Sequence, residues 1–407
     1  MKPILTIRGG NVVTPTGVLM KGTVVIEDGR IADIRPNTSA LASAGQVYDA
    51  TGCWVMPGMI DTHSDAIEHE MQPRPTSRFA LEFSYQELER KLVSQGVTTI
   101  YHSLSMWGEN SSNDFRKNQS VKDIVNRIAN LRQHDHLIHH RVHIRVELTN
   151  DSVVPFVEEF ITQGLIDQMS FMDHTPGQGQ YRNTDVQKKF IMERQKKTEE
   201  EVNAILEERK NRAKIADAEL QRLADLAYRN DVPLASHDDD SIEKLDRIQQ
   251  WRGTISEFPV DLAVAVEAKR RGLYVVMGAP NVMLGRSHSN NLSAQEAIRA
   301  GVVDILCSDY YPPAMLRAVF LLVSQGLDIV EAVNMVTLNP ARALRIDDRT
   351  GSLTAGKEAD LLVVREQAGS PVIQNVFVRG QLVCQMNYLS GTTRAALSGK
   401  GAERIEA

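Results

Sequence analysis

Between residues 56 and 339 the chain alternates short β-rich runs with helical segments, an alternation that builds a parallel sheet covered by helices. Eight runs can be counted: "WVMPGMID", "VTTIYHSL", "HIRVEL", "QMSFMDH", "VPLASHD", "TISEFP", "YVVMGAP" and "VDILCSD". Eight strand–helix repeats close into a barrel, and the carboxyl ends of its strands converge on one mouth. Polar residues stand at those ends: His63 and Asp65 on the first run, Glu147 on the third, His174 on the fourth, His237 on the fifth and Asp309 on the eighth. A fold of this kind brings all six together.

The flanks read differently. Residues 1–55 carry short strand patterns with a hairpin signal at Asp28-Gly29, and residues 351–388 carry two more alternating segments, so both termini are expected to pair into a small β-sandwich. The α/β unit, a (β/α)8 TIM-like barrel over residues 56–350, is then inserted between them. A charged stretch at 185–230 breaks the rhythm after the fourth run. Its apolar residues, Val202, Ile205, Ile215, Leu220, Leu223 and Leu226, fit two amphipathic helices of a structural insertion. A lid reaching substrate through Lys188, Lys189 or Arg194 is the alternative. Residues 389–407 read as a loose tail.

Composition removes several classes of function. With 407 residues and 42% hydrophobic content the chain can bury a large core, yet no run reaches the roughly 18 apolar residues of a membrane helix. The first residues lack signal-peptide features, so a cytoplasmic, non-membrane protein is expected. A net charge of −6 without a basic face argues against nucleic acid. Cys53, Cys307 and Cys384 are odd in number and far apart, which suits reduced core residues. A homo-oligomer is compatible with all of this.

A lone histidine is more often structural than a ligand; the joint pattern carries the weight. Divalent metals need nitrogen and oxygen donors converging at about 2.0–2.2 Å, and a metal pair needs a bridging carboxylate. Here His63 and Asp65 would hold the more buried ion, His174 and His237 the more exposed one, with Glu147 bridging. Asp309 would contact the buried ion and orient an attacking water whose pKa falls to about 7 between two cations. Asp61, Asp173 and Asp238 are candidates to fix histidine tautomers. The cofactor expected is two divalent ions, with zinc first and manganese or iron also compatible with mixed donors.

At these residues the sequence resembles the amidohydrolase superfamily over nearly its whole length. "PGMIDTHSD" resembles that family's first-strand motif "PG.ID.H.H" except at Asp65, and "VTLNPARAL" onward resembles the exit from its barrel. Glu147 stands where a bridging carboxylate replaces the frequent carboxylated lysine. "HSDAIEHEMQPRP", "RVELT", "SFMDHTPGQGQ", "ASHDDD", "EFP", "MGAPNVMLGRSHSNN" and "SDYYPPAML" are similar to one branch, that of the carbon–phosphorus lyase pathway of phosphonate use. The resemblance implies hydrolysis of a ribosyl triphosphate to its 5-phosphate with release of pyrophosphate. A cyclic amide or N-acyl substrate is the rival within the superfamily, and a non-catalytic assembly homologue is the other.

A charge count bears on that choice. Two divalent ions bring four positive charges and Asp65, Glu147 and Asp309 three negative ones, one more than a histidine at position 65 would leave. A polyphosphate needs its developing charge stabilised, so further cationic or N–H donors are expected. Arg74 and Arg78 in the loop after the first strand, Gln178 after the fourth, and Arg286 and His288 after the seventh are the candidates for substrate binding.

Overall fold

The computed structural model describes residues 4–36, 45–109, 111–179, 184–196, 198–287 and 291–389. Five strands precede the barrel: β1 (Leu5–Thr14), β2 (Gly17–Glu27), β3 (Arg30–Pro36), β4 (Gln46–Asp49) and β5 (Trp54–Pro57). The barrel strands are β6 (Met59–Ser64), β7 (Val97–Met106), β8 (His139–Glu147), β9 (Gln168–Met172), β10 (Leu234–His237), β11 (Ile255–Glu257), β12 (Tyr274–Gly278) and β13 (Ile305–Cys307). Three strands close the described chain: β14 (Leu361–Gln367), β15 (Ser370–Val378) and β16 (Gln381–Gln385).

All eight expected barrel strands form, in one parallel sheet ordered β6 to β13. β7 is buried at every position, as expected for a strand covered on both faces. The ring closes where Asp309 N–H donates to the His63 carbonyl at 2.9 Å and Asp65 N–H to the Asp309 carbonyl at 2.8 Å. Inside the barrel, Ile60, Tyr101, Ala235, Ile255, Val276 and Ile305 belong to one apolar cluster. Polar side chains take the rest of the interior.

Strands from both chain ends share the second sheet, ordered β16-β15-β14-β5-β1-β2-β3 with β4 beside β1. Its own core includes Ile7, Val24, Val55, Leu361 and Phe377. One expectation needs correction here. The first run, "WVMPGMID", is two strands: Trp54–Pro57 pairs antiparallel with β14 in the terminal sheet, and only Met59–Ser64 enters the barrel. Gly58 is the joint, and a Cβ there would lie 2.1 Å from Thr98 Oγ1. Gly58→Ala should therefore cost about 1–3 kcal/mol through overpacking, read as a lower midpoint in denaturant unfolding; an unchanged midpoint would show that Thr98 yields freely.

The insertion also differs from the 185–230 expected. Helices form over Thr184–Gln195, Glu199–Lys210 and Asp217–Arg229, and only the first two stand outside the barrel rhythm, sharing a small cluster of Ile191, Val202 and Leu206. The third buries Leu220, Leu223, Ala224 and Ala227 in the main core, so it is the barrel's own helix between β9 and β10. Its charged outer face made it resemble its neighbours. Of the tail, only Leu389 lies within the described residues.

Candidate metal centre

The first-strand motif reaches the barrel mouth through a local irregularity. Alternation from inward Ile60 would turn His63 outward, but β6 carries one extra residue between Asp61 and Ser64 relative to β7. Such a bulge re-aims side chains. The His63 ring accordingly lies among interior rings, 5.3 Å from those of His143 and His237 and 5.1 Å from that of Phe258.

Three other mouth residues are held in left-handed backbone: Asp238 (φ 53°), Phe258 (φ 56°) and Asp309 (φ 54°). For non-glycine residues this costs about 1–2 kcal/mol each, so something must enforce it. The N–H of each donates to the neighbouring strand: Asp238 to Glu257, Phe258 to Val276 and Asp309 to His63, at 2.8–2.9 Å. Strain held in this way concentrates at functional sites.

Around the mouth, carboxylates orient imidazoles. His174 Nδ1 donates to Glu147 Oε2 at 2.7 Å, and the His174 ring stacks on Trp107 with centroids 4.9 Å apart. His237 Nδ1 donates to Glu257 Oε2 at 3.2 Å, and Glu257 Oε1 lies 3.3 Å from His63 Nδ1. Asp238 Oδ2 is 3.6 Å from His237 Nε2 and 4.0 Å from His174 Nε2. Arg145 Nη2 donates to His237 Nε2 at 2.9 Å and Nη1 to Asp65 Oδ1 at 3.3 Å.

The six residues expected as ligands stand at one mouth, but of the six only His63, His174 and His237 fall, among the described residues, in groups whose ligand atoms converge, with Glu257 and Asp238 as the carboxylates. Glu147 engages His174 directly. Of the three tautomer-fixing candidates, Asp238 faces the histidines, Asp61 accepts the Ser308 N–H at 2.9 Å to sew the first strand to the last, and Asp173 pairs with Lys214 at 2.6 Å. Of the loop candidates, Arg74, Arg78, Gln178 and Arg286 are exposed, and Arg78 pairs with Asp114 at 2.9 Å. His288 lies outside the described residues. Glu257, Arg145 and His143 were not among the expected residues. His143 and Arg145 precede Glu147 by four and two positions, so strand alternation alone could have placed them on its face.

Burial sets the charge states. It pushes His63 and His143 down to about 3, and lowers His237 well below its usual range with the Arg145 guanidinium adding to the effect. Burial raises Asp309 to about 7, helped by the Asp65 charge, and Asp238 to about 6. It would also raise Asp65, but Arg145 and neighbouring groups outweigh it and hold that carboxyl low. Neutral imidazoles beside carboxylates are the form in which these side chains ligate a cation.

The donor set fits a divalent metal. His63, His237 and Glu257 offer ligand atoms within 4.8 Å of one another, as do His174, His237 and Asp238. His63 Nε2 is buried and, among the described residues, lacks a hydrogen-bond partner, which a cation would supply.

The description "Amidohydrolase family" matches residues 54–383. The chain is 29% identical over 370 residues to the alpha-D-ribose 1-methylphosphonate 5-triphosphate diphosphatase of Escherichia coli (strain K12), covering 90% of this chain and 96% of that one. Adenine deaminase 3 of Rhizobium meliloti (strain 1021) is 39% identical over 75 residues, which are 18% of this chain and 12% of the deaminase. A solved structure of a putative prolidase from Bifidobacterium longum superposes with a TM-score of 0.63 at 18% identity, covering 97% of this chain and 98% of that one. With a family match over most of its length and these side chains gathered at one barrel mouth, the chain belongs to the amidohydrolase family.

Proposed function

We propose that this metal-dependent hydrolase acts on the triphosphate of α-D-ribose 1-methylphosphonate 5-triphosphate, releasing pyrophosphate and leaving the 5-phosphate, in phosphonate catabolism. The observation that carries this reading is the end-to-end likeness to the diphosphatase, over 90% of this chain and 96% of that enzyme. The likeness to the deaminase covers a fifth of that length or less.

The residues suit a phosphoric anhydride. A divalent ion held at the mouth would supply Lewis acidity and bring the pKa of a water molecule to about 7. Asp309 would take the proton of an attacking water and pass it on. Glu147 and Glu257 fix the tautomers of His174 and His237. The Asp65 charge that removes positive potential from the centre is answered by Arg145, which donates to it. Lys244 adds a second cation at the rim, its Nζ donating to the His237 and Asp238 carbonyls at 2.9 Å. Outside that inner set, the loops bearing Arg74, Arg78, Gln178, Arg286 and His288 would grip the outer phosphates.

Pyrophosphate release from this triphosphate by metal-loaded protein tests the reading, run beside adenine deamination and hydrolysis of cyclic amides and N-acyl compounds. Efficient release with negligible turnover of the others is expected. Turnover of an amide or of adenine without pyrophosphate release would assign the site to carbon–nitrogen chemistry.

A further inference from the structure

At the end of the barrel opposite the mouth, three ligand-type side chains converge where the barrel meets the terminal sheet. His139 opens β8, and Glu358 and Asp360 stand just before β14. His139 Nε2 lies 3.1 Å from Asp360 Oδ2 and 3.8 Å from Glu358 Oε2, and the three residues offer ligand atoms within 4.8 Å of one another.

Hydrogen bonding alone leaves this trio unbalanced. An imidazole carries at most one proton on Nε2, and that proton can serve Asp360 but not also Glu358 at 3.8 Å. Two carboxylates are thus brought to one ring nitrogen that has a donor for one. Arg379 Nε stands 3.7 Å from Glu358 Oε2, beyond hydrogen-bond reach, and its side chain is 58% exposed, so its charge offsets little. Asp360 is fixed from its other oxygen: Oδ1 accepts the Arg379 N–H at 2.8 Å, which leaves Oδ2 to His139 and to the Thr350 hydroxyl at 3.2 Å.

The spacing is that of a coordination sphere. A tetrahedral zinc with bonds of about 2.0–2.1 Å sets its donors roughly 3.3 Å apart, and the separations of 3.1 and 3.8 Å straddle that value. The side chains of His139 and Glu358 are 11% and 12% exposed against 1% for Asp360, so the trio meets solvent through the first two, which gives an ion its entry and a water its place as fourth ligand. The backbone beneath is stitched to three other segments. Glu358 N–H donates to the Arg349 carbonyl and Ala359 N–H to the Gly29 carbonyl, each at 2.8 Å, and the Asp360 carbonyl accepts the Gly58 N–H at 2.9 Å. Donors held this way before an ion arrives cost little to order.

We propose that His139, Glu358 and Asp360 form a structural metal site, separate from the mouth, for a divalent transition ion of the zinc type that staples β8 of the barrel to the segment entering β14. Mixed nitrogen and oxygen donors suit that ion. The amino ends of the strands are where a barrel carries stability rather than catalysis. The site is independent of the substrate taken at the mouth.

Zinc count and zinc position test it together. Full-length protein is stripped with a chelator, reloaded with Zn²⁺, freed of unbound metal by dialysis and measured by elemental analysis, and crystals of the same preparation give anomalous difference maps at the zinc edge. Wild type should show a peak bonded to His139, Glu358 and Asp360. His139→Gln, whose amide still donates to Asp360 but is a poor zinc ligand, should lose that peak and one ion per chain while keeping its turnover. Where circular dichroism shows that His139→Gln does not fold, Glu358→Gln is expected to give the same loss. Equal ion counts in wild type and a folded variant, or zinc at the mouth alone, would overturn the proposal. Zinc at the seam alone would uphold it and remove the metal reading of the mouth instead.

Discussion

Asp309→Asn is expected to lower kcat for pyrophosphate release by about 10²–10⁴-fold, the range set by loss of a positioned proton acceptor, while leaving most of the bound metal in place. Two features of Asp309 support that split. Its backbone is locked: φ is 54°, and its N–H and C=O are both used in the seam with His63 and Asp65, so the asparagine side chain should project from the same point. Asparagine also tolerates left-handed backbone better than most residues, which makes a folding defect a poor explanation of any loss. The carboxamide oxygen remains a donor to a cation, but the group no longer takes a proton. The buried carboxyl of the native residue is already poised toward protonation by burial and by the Asp65 charge. Steady-state pyrophosphate release, elemental analysis and a thermal melt on the same preparation check this. Turnover within a few-fold of wild type would take Asp309 out of proton transfer; an equal loss of metal and activity would make it a ligand first.

The barrel was legible because β-rich runs alternate with helical segments and five of the eight runs carry ligand-type residues at or just after their carboxyl ends, a local signal that survives without any tertiary contact. Failures came where the local signal is ambiguous. "WVMPGMID" is continuous in hydropathy, and only the need to pack Gly58 against Thr98 divides it between two sheets. Residues 217–229 are as charged as the insertion before them, and only their buried leucines mark them as barrel helix. At the site, the identity of the ligand-type residues could be read from run ends, but their pairings could not. Arg145 and His237 are 92 positions apart, and Arg78 meets Asp114 36 positions away. Glu257 carries a signal too, since it closes the sixth barrel strand as Glu147 closes the third, but a carboxylate there has no role until two histidines from other strands stand against it.

Glu257→Gln is expected to weaken metal affinity by about 10–100-fold, as loss of a histidine-orienting carboxylate does, with most of kcat recovered at saturating metal. The carboxylate is fully buried and faces two imidazoles at once: it accepts from His237 Nδ1 at 3.2 Å and stands 3.3 Å from His63 Nδ1, while Gln168 Nε2 donates to it at 3.2 Å. As an acceptor at both oxygens it favours the Nδ1–H tautomer in both rings and turns both Nε2 lone pairs away from itself. Glutamine has one oxygen and one amino group. Whichever way the amide is set, its N–H₂ faces a ring nitrogen or the Gln168 amide, so one histidine must carry its proton on Nε2 or one donor must go unpaired. A proton on His63 Nε2 removes a lone pair that the cation needs; on His237 Nε2 it faces an Arg145 N–H and forces the guanidinium off. The substitution preserves volume, so the barrel should melt near the wild-type temperature and the effect should appear in a competitive Zn²⁺ titration and in the metal concentration needed for half-maximal activity. Affinity equal to wild type would show that His63 and His237 are oriented by packing against Phe258 and each other, and that the buried charge of Glu257 serves another end.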